Sequence, residues 1–475
     1  MKILSLLTSL VCFTTSFAHA QKPNFVVIFM DDMGYGDLGC YGATKQKTPH
    51  LDQMAKEGTK LTSFYAAPVC SVSRAQLLSG CYGVRVSVPG VYGPGSPQGL
   101  NPNETTIAEH LKKLGYATQC IGKWHVGDQP EFLPTKQGFD HYLGIPYSND
   151  MQGKPVGSDE RVVPLLRDDK VERLLKDEDQ RDIVEIYTQE AIQFIRAKKD
   201  QPFFLYLPHT AIHTPIYENK KFSGTSQNGR VGDWIQEVDD STGRILAVLK
   251  ELKLEENTLV VFTSDNGPWE SQGKDAGSAG PLRGAKGSTW EGGIRVPTIA
   301  RWPGKIPAGT SNDAVLGTID LLPTLVSLAG GTVPAEPVID GRDATSQFFG
   351  KSKDSPREAH YGFHGYHLQT VRQGPWKLAI TPQNEAMSRA VKEDAQGKQP
   401  RLYNLDEEIG EKTDVSSKHP EVVAKLSALA EAMKAEVAGD NPKSRRPAGK
   451  VENAKTLYPM QQRKKGAAPK KKAKE

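Results

Sequence analysis

Two stretches constrain this chain more than any others: NFVVIFMDD, Asn24 to Asp32, and LVVFTSDNG, Leu259 to Gly267. Each is an unbroken apolar run of strand length that ends in acids or an amide. A strand with one wet face alternates apolar and polar residues, whereas an unbroken run needs cover on both faces, as in a parallel sheet between layers of helices. PFFLYLPH, Pro202 to His209, is a third run of this kind. Helical patterns lie between the runs: TTIAEHLKKLG (Thr105 to Gly115), DIVEIYTQEAIQFIRAKK (Asp182 to Lys199) and WIQEVDDSTGRILAVLKELK (Trp234 to Lys253). Strand alternating with helix predicts an α/β sandwich with a large, mostly parallel central sheet flanked by helices. Polar sites in such sheets collect beyond the carboxyl ends of the strands.

At 475 residues the chain exceeds one compact core. The Pro-rich TVPAEPVIDG reads as a linker, which divides a main domain, 21–335, from a small C-terminal α+β subdomain, 336–440. In the latter HLQTVRQGPWKLAITP and PRLYNLDEEIGE predict a short antiparallel sheet, and HPEVVAKLSALAEAMKAEV an amphipathic helix. Residues 1–20, MKILSLLTSLVCFTTSFAHA, have the pattern of a cleaved secretory signal and not of a membrane span, so the protein is expected to be exported, periplasmic or secreted. The formal charge of +4 is uneven: residues 441–475 hold twelve Lys or Arg and two Glu, a net of +10, which leaves 4 − 10 = −6 for the rest. This tail is poor in apolar residues and is expected to be disordered, either simply solvated or a contact for anionic polymers. No specific nucleic-acid partner follows from it.

Asp31 and Asp32 close one buried strand, and Asp265 with Asn266 closes another. One Asp-Asp pair reads equally well as a turn or helix cap. Two acidic ends at like positions concentrate three carboxylates at one sheet edge, which is costly unless a cation neutralises them. All-oxygen donors suit calcium or magnesium, and a flexible carboxylate cage favours calcium. Basic residues are supplied by Lys123 and His125 in GKWHVGD, by His209 and His213 in HTAIHTP after the third strand, and by Arg283, Lys286 and Arg295 in the glycine-rich loop PLRGAKGSTWEGGIRVP. Lys123 and His125, two apart, would share one side of an extended segment. Taken singly, each reads as a structural or solvated residue; together with Arg74 they describe a pocket for an oxygen-rich anion beside a cation.

In PVCSVSRAQLLSG, Pro68 to Gly80, small hydroxylic residues mark a helix start at Cys70, with Arg74 one turn on along the same face. The residues alone leave Cys70 open as a redox site, a metal ligand, a nucleophile or packing. The helix end favours negative charge there and so activates a nucleophile. Cys40, Cys81 and Cys120 show no zinc spacing and read as buried thiols or one optional disulfide.

The stretches MDDMGYGDLGCYG, PVCSVSRAQLLSGCYGVR, GKWHVG, GIPYSND, PHTAIHTP, TSDNG and LRGAKGSTWEGGIRVP, in this order, resemble the formylglycine-dependent sulfatases of the arylsulfatase type, within the alkaline phosphatase superfamily. The resemblance runs from Asn24 to about Lys425, and GIPYSND is similar to the arylsulfatase A and galactosamine-6-sulfatase branches. It implies an alkaline-phosphatase-like sandwich in which a maturation enzyme oxidises Cys70 to formylglycine. It further implies that Asp31, Asp32, Asp265 and Asn266 hold calcium together with the converted Cys70. Arg74, Lys123, His125, Ser148, His213 and Lys286 match catalytic and sulfate-binding positions, while His209 is left structural.

The implied chemistry is attack on sulfur by one hydroxyl of the hydrated aldehyde, its proton passing to Asp265, with Lys286 or His213 protonating the departing oxygen. His125 then takes the proton of the second hydroxyl and sulfate leaves. Sulfated sugars or polysaccharides are the implied substrates, with aryl sulfates as surrogates. Val72 stands where the maturation signal has proline or alanine, and it lacks proline's fixed φ. Two other readings stay open: a phosphoester hydrolase of the same superfamily, or a catalytically silent binder of sulfated glycans if Val72 blocks maturation. His364, His367 and Arg372 are either cleft-lining or ordinary surface residues.

Overall fold

The computed structural model describes residues 22–387, 399–438 and 442–461. The expected signal, 1–20, and the lysine-rich end from 462 lie outside the described residues. Ten strands form one mixed sheet, in the order Thr310–Asn312, Thr59–Leu61, Ile299–Arg301, Thr258–Ser264, Asn24–Met30, Phe203–Pro208, Ala117–Ile121, His141–Gly144, Val163–Arg167, Lys170–Leu175. The five strands from Thr258–Ser264 to His141–Gly144 run parallel. Antiparallel pairings lie outside them: Ile299–Arg301 against both its neighbours, and the hairpin Val163–Arg167 with Lys170–Leu175. The parallel expectation therefore holds at the centre, where the unbroken apolar runs are, and gives way at the edges.

The Asn24–Met30 strand shows why those runs carry no polar residue. Phe25, Val27 and Phe29 enter one core with Leu77 and Leu78 of the Cys70–Ser79 helix, Leu111 of Ile107–Lys113 and Leu325 of Leu321–Leu328. Val26, Ile28 and Met30 enter the other, against Tyr187 and Phe194 of Ile183–Ala197 and Trp234 and Val238 of Gly229–Glu251. Alternate side chains point to opposite faces, and both faces are covered. Beyond the linker His360–His364, His367–Gln373, Trp376–Ala379 and Arg401–Asn404 form an antiparallel sheet. The Pro420–Met433 helix covers it, with Leu426, Ala430 and Met433 packed on Leu368, Val371 and Leu378.

A buried ionic network joins the two sheets. Lys377 on the Trp376–Ala379 strand lies 2.9 Å from Glu291 and 2.8 Å from Glu411, and donates to the Thr289 carbonyl at 2.8 Å. Arg372, offered above for the cleft, belongs to the same network and points to Glu291 and Ser63. It is therefore a buried strut and not a cleft residue. His367 is exposed, and His364 borders an apolar hollow of about 280 Å³ beside Val69 and Val72. The disorder expected from 441 onward does not extend to residues 442–461, which pack on the sheet domain through Arg446 to Glu104 (2.8 Å) and a short pairing of Gly449–Lys450 with Gln98–Gly99. The four described cysteines are free, with Cys70, Cys81 and Cys120 buried, so no optional disulfide forms.

Glu237, on the Gly229–Glu251 helix, is buried and accepts the Asn219 N–H at 2.9 Å. Burial, reinforced by Glu185, Glu218 and Asp182, pushes its carboxyl up to about 8. The unfolded chain gives up this proton near the ordinary glutamate value while the folded chain keeps it, so the contribution to stability is full in acid and is lost as pH rises towards the folded value. Urea melts should therefore show Glu237→Gln gaining on the wild type by up to about 1 kcal/mol per pH unit between about pH 5 and pH 8. A constant difference across that range would contradict this account.

Candidate active site

Parallel register sets the site. Met30 pairs with Ser264 and Phe29 with Pro208, so Asp31 and Asp265 leave the sheet at one level, with His209 one residue before them. The Asp265 N–H donates to the Met30 carbonyl at 3.0 Å, and the Asp32 N–H donates to Asp265 Oδ1 at 3.2 Å. Asp32 takes a φ of 61°, a left-handed turn that a non-glycine residue adopts at a cost. Asp31, Asp265 and Asn266 are fully buried and Asp32 nearly so.

Cys70 opens the Cys70–Ser79 helix as the sequence predicts, with Val69 extended before it. Ser73 ties that helix start in place: its hydroxyl accepts from the Ala67 N–H at 2.8 Å and donates to the Asp265 carbonyl. The ligand atoms of Asp31, Cys70 and Asp265 lie within 4.8 Å of one another. Burial raises the Cys70 thiol, and Asp31 and Asp265 add to the rise, despite Lys123 and Lys286 nearby. Val72 is accommodated by Gly83, where a Cβ would lie 2.4 Å from a Val72 methyl.

The cations close over the acids. Arg74, fully buried, donates to Asp265 Oδ2 at 2.8 Å and to the Lys123 carbonyl at 2.6 Å. Lys123 Nζ lies 2.5 Å from Asp31 Oδ2 and donates to Ser148 Oγ at 3.2 Å. Lys286 Nζ lies 2.6 Å from Asp32 Oδ1 and 4.8 Å from the centre of the Trp269 ring. His213 sits 3.7 Å from Asp32 and 3.3 Å from Ser148 Oγ, with its ring centre 5.2 Å from that of Trp269.

Lys123 and His125 converge by a turn and not by the extended segment expected, since Gly122 has φ 131° and His125 φ 64°. His125 Nε2 donates to the Tyr92 carbonyl at 3.0 Å, which leaves Nδ1 without a hydrogen-bond partner. Arg283 and Arg295 do not enter the site: Arg283 pairs with Glu385 at 2.6 Å over the Trp290 ring, and Arg295 pairs with Glu291 at 3.3 Å. His209 is buried near Tyr187 with neither ring nitrogen bonded. Desolvation alone holds it neutral, down to about 3.

Charge balance governs ionisation in this cluster. Burial opposes the Asp31 carboxylate, yet Lys123, His213, Arg74 and Lys286 together hold it well below its ordinary range. Asp265 goes the other way: burial and then the Asp31 charge push it up to about 7. Three buried oxygens, Asp31 Oδ1, Asp32 Oδ2 and Asn266 Oδ1, accept no hydrogen bond. Orphaned acceptors converging with crowded carboxylates are what a hard divalent cation with oxygen ligands would satisfy, so the donor set fits one.

Trp269, Tyr92, Ser73 and Asn149 were not singled out from sequence. Asn149 fixes the His213 loop by donating to the His213 and Pro215 carbonyls, both at 3.1 Å. Trp269, four residues after Asp265 in DNGPW, is the aromatic that the sequence could have offered.

A carboxylate cluster capped by cations at parallel strand ends defines a centre for the hydrolysis of an oxygen-rich anion. The sulfatase family model matches residues 23–331, and the model for the C-terminal region of aryl-sulfatase matches residues 355–460. The chain is 41% identical over 378 residues to N-acetylgalactosamine-6-sulfatase of Rattus norvegicus, covering 76% of this chain and 72% of that protein. It is 36% identical over 456 residues to arylsulfatase A of Homo sapiens, covering 88% and 89%. The crystal structure of PsFucS1 sulfatase from Pseudoalteromonas sp. superposes with a TM-score of 0.80 at 31% identity, covering 87% of this chain and 90% of that one. The chain belongs to the sulfatase family, and it is a sulfuric ester hydrolase of the arylsulfatase type.

Gly122 is the backbone device on which Lys123 depends, because a Cβ there would lie 1.9 Å from the Pro208 carbonyl oxygen at a φ that L side chains avoid. Gly122→Ala is expected to cost about 3 kcal/mol or more of folding stability in a chemical melt. A variant within about 0.5 kcal/mol of the wild type would contradict the close approach.

Proposed function

We propose that this sulfatase is exported and cleaves sulfate esters of sugars in sulfated polysaccharides by means of a formylglycine made from Cys70, with calcium held by Asp31, Asp32, Asp265 and Asn266. The observation that carries the reading is the convergence of Arg74, Lys123, Lys286 and His213 on a buried acid cluster that keeps three orphaned oxygens beside Cys70. Bound calcium would supply positive charge that polarises sulfuryl oxygens and offsets the three acids. Hydrated formylglycine would supply the attacking hydroxyl.

The chain's own residues account for the rest. Asp265, oriented by Arg74 at 2.8 Å, can hold the proton released at residue 70. Lys123 and Lys286 present ammonium groups to the sulfuryl oxygens from fixed positions, so charge developing there meets donors that need no rearrangement. Lys286 and His213, side by side against Trp269, are the donors for the departing alcohol oxygen. Burial and the neighbouring Lys123 and Arg74 hold His125 neutral, and its Nε2–H is spent on the Tyr92 carbonyl. The free Nδ1 lone pair supports His125 as the base that takes the proton of the second hydroxyl at residue 70.

Export rests on the pattern of residues 1–20; among the described residues no helix is long and apolar enough to cross a membrane. The name of the rat relative supports 6-sulfated N-acetylgalactosamine as the first sugar to try. Protein co-produced with a formylglycine-generating enzyme is expected to carry a carbonyl in place of the Cys70 thiol, read by mass spectrometry, and to hydrolyse aryl and sugar sulfates. Lys286→Ala should lose roughly 100-fold or more in turnover. Full sulfatase activity with an unmodified thiol, or unchanged activity of Cys70→Ala, would overturn the proposal. Val72→Pro, in the first helical turn where proline is tolerated, should raise the converted fraction.

A further inference from the structure

The segment 442–461 forms a strap that builds a wall beside the catalytic centre. Lys455 exchanges two hydrogen bonds with the Gln129 side chain, both at 2.9 Å, and Tyr458 donates to the Val162 carbonyl at 3.1 Å. The end of the strap then runs along the segment 153–158. The Val156 N–H donates to the Pro459 carbonyl at 3.0 Å, the Gln461 N–H to the Lys154 carbonyl at 2.8 Å, and the Gln461 amide to the Ser158 carbonyl at 2.8 Å. Gly153 admits this approach, since a Cβ there would lie 2.2 Å from Met460 Sδ.

Strap and segment enclose a cleft of about 1010 Å³, whose third side is formed by residues 93–94. Two of its walls continue directly from the catalytic residues. Asp150 stands two residues after Ser148, whose hydroxyl bonds Lys123 Nζ, and Gly93 follows Tyr92, whose carbonyl holds His125. The volume is at the upper end for a ligand site and far exceeds one small sulfate monoester.

The lining combines Lys154 and Arg161 with a single carboxylate, Asp150. The Lys154 side chain is 44% exposed, and its partner Asp159 is 3.5 Å away and fully solvated. Arg161 is exposed and reaches the Gln152 carbonyl at 3.3 Å. Asp150 Oδ1 accepts no hydrogen bond and offers an acceptor to a sugar hydroxyl.

We propose that this cleft is a subsite for the remainder of an anionic oligosaccharide, with Lys154 and Arg161 meeting a carboxylate or sulfate on a sugar beyond the one that is desulfated. The inference rests on the sulfatase reading above and adds that the enzyme prefers polyanionic chains. Its test compares oligosaccharide sulfates of equal length that carry a second sulfate, a uronate, or no second anion, with 4-nitrophenyl sulfate as a probe of the catalytic centre alone.

The double variant Lys154→Ala/Arg161→Ala should lose roughly tenfold in kcat/KM, mainly through KM, on chains with a second anion. It should retain its rate on 4-nitrophenyl sulfate, and the more affected of the two anions identifies the group recognised. Added salt should weaken wild-type action on the polyanionic chains and flatten in the variant. Equal loss on all substrates, or no loss on any, overturns the subsite. Calorimetric binding of the same chains to Cys70→Ala reads the cleft without turnover. A failure of catalysis is thereby separated from a failure of this inference: tighter binding that depends on Lys154 and Arg161 supports the cleft even if 4-nitrophenyl sulfate is inert.

Discussion

Three carboxylates buried at the ends of two adjacent parallel strands are the constraint on which the rest of this structure depends. Buried like charges a few ångströms apart cannot all ionise unaided, and Asp265, pushed up to about 7 beside a strongly acidic Asp31, records the conflict. Arg74, Lys123 and Lys286 balance the three acids one for one, at 2.8, 2.5 and 2.6 Å. The same cations would be available to a bound anion once a divalent ion took over the acids. Removing one member leaves a buried charge without a partner, which costs far more than the pair contributes when intact.

Holding such a cluster requires rigid neighbours, and the fold supplies them from several directions. Register fixes Asp31 against Asp265, Ser73 pins the Cys70 helix to the Asp265 backbone, and Asn149 secures the His213 loop. Lys286 is held from the far side. Its carbonyl accepts from Met387, and the glycine-rich loop that carries it is anchored to the C-terminal sheet through Thr289, Glu291, Lys377 and Glu411. The second sheet thus acts on the chemistry through a buried ionic joint and not through a residue in the site.

Much of this was legible because the signals are local. An unbroken apolar run tells of cover on both faces wherever its partners lie, and acids at its end mark the functional edge of the sheet. Asp31, Asp32, Cys70, Arg74, Lys123, Ser148, His213, Asp265, Asn266 and Lys286 all come together as motif order suggested. What was not legible depends on partners remote in sequence. Arg283 and Arg295 looked like anion ligands, and Arg372 like a cleft or surface residue, until Glu385, Glu291 and Tyr65 were seen beside them. Composition alone made 442–461 a solvated polycation, although Arg446 finds Glu104 and Tyr458 finds Val162, each some 300 residues or more away.

Calcium titration of chelator-treated protein, followed by calorimetry, tests the central claim most directly. One equivalent should bind to the wild type, with binding lost in Asp31→Asn and in Asp265→Asn while both variants remain folded. A wild type that binds no divalent ion, or an Asp265→Asn variant that binds as tightly, would show that the acid cluster is balanced by its own lysines and arginine alone, and the account would fail.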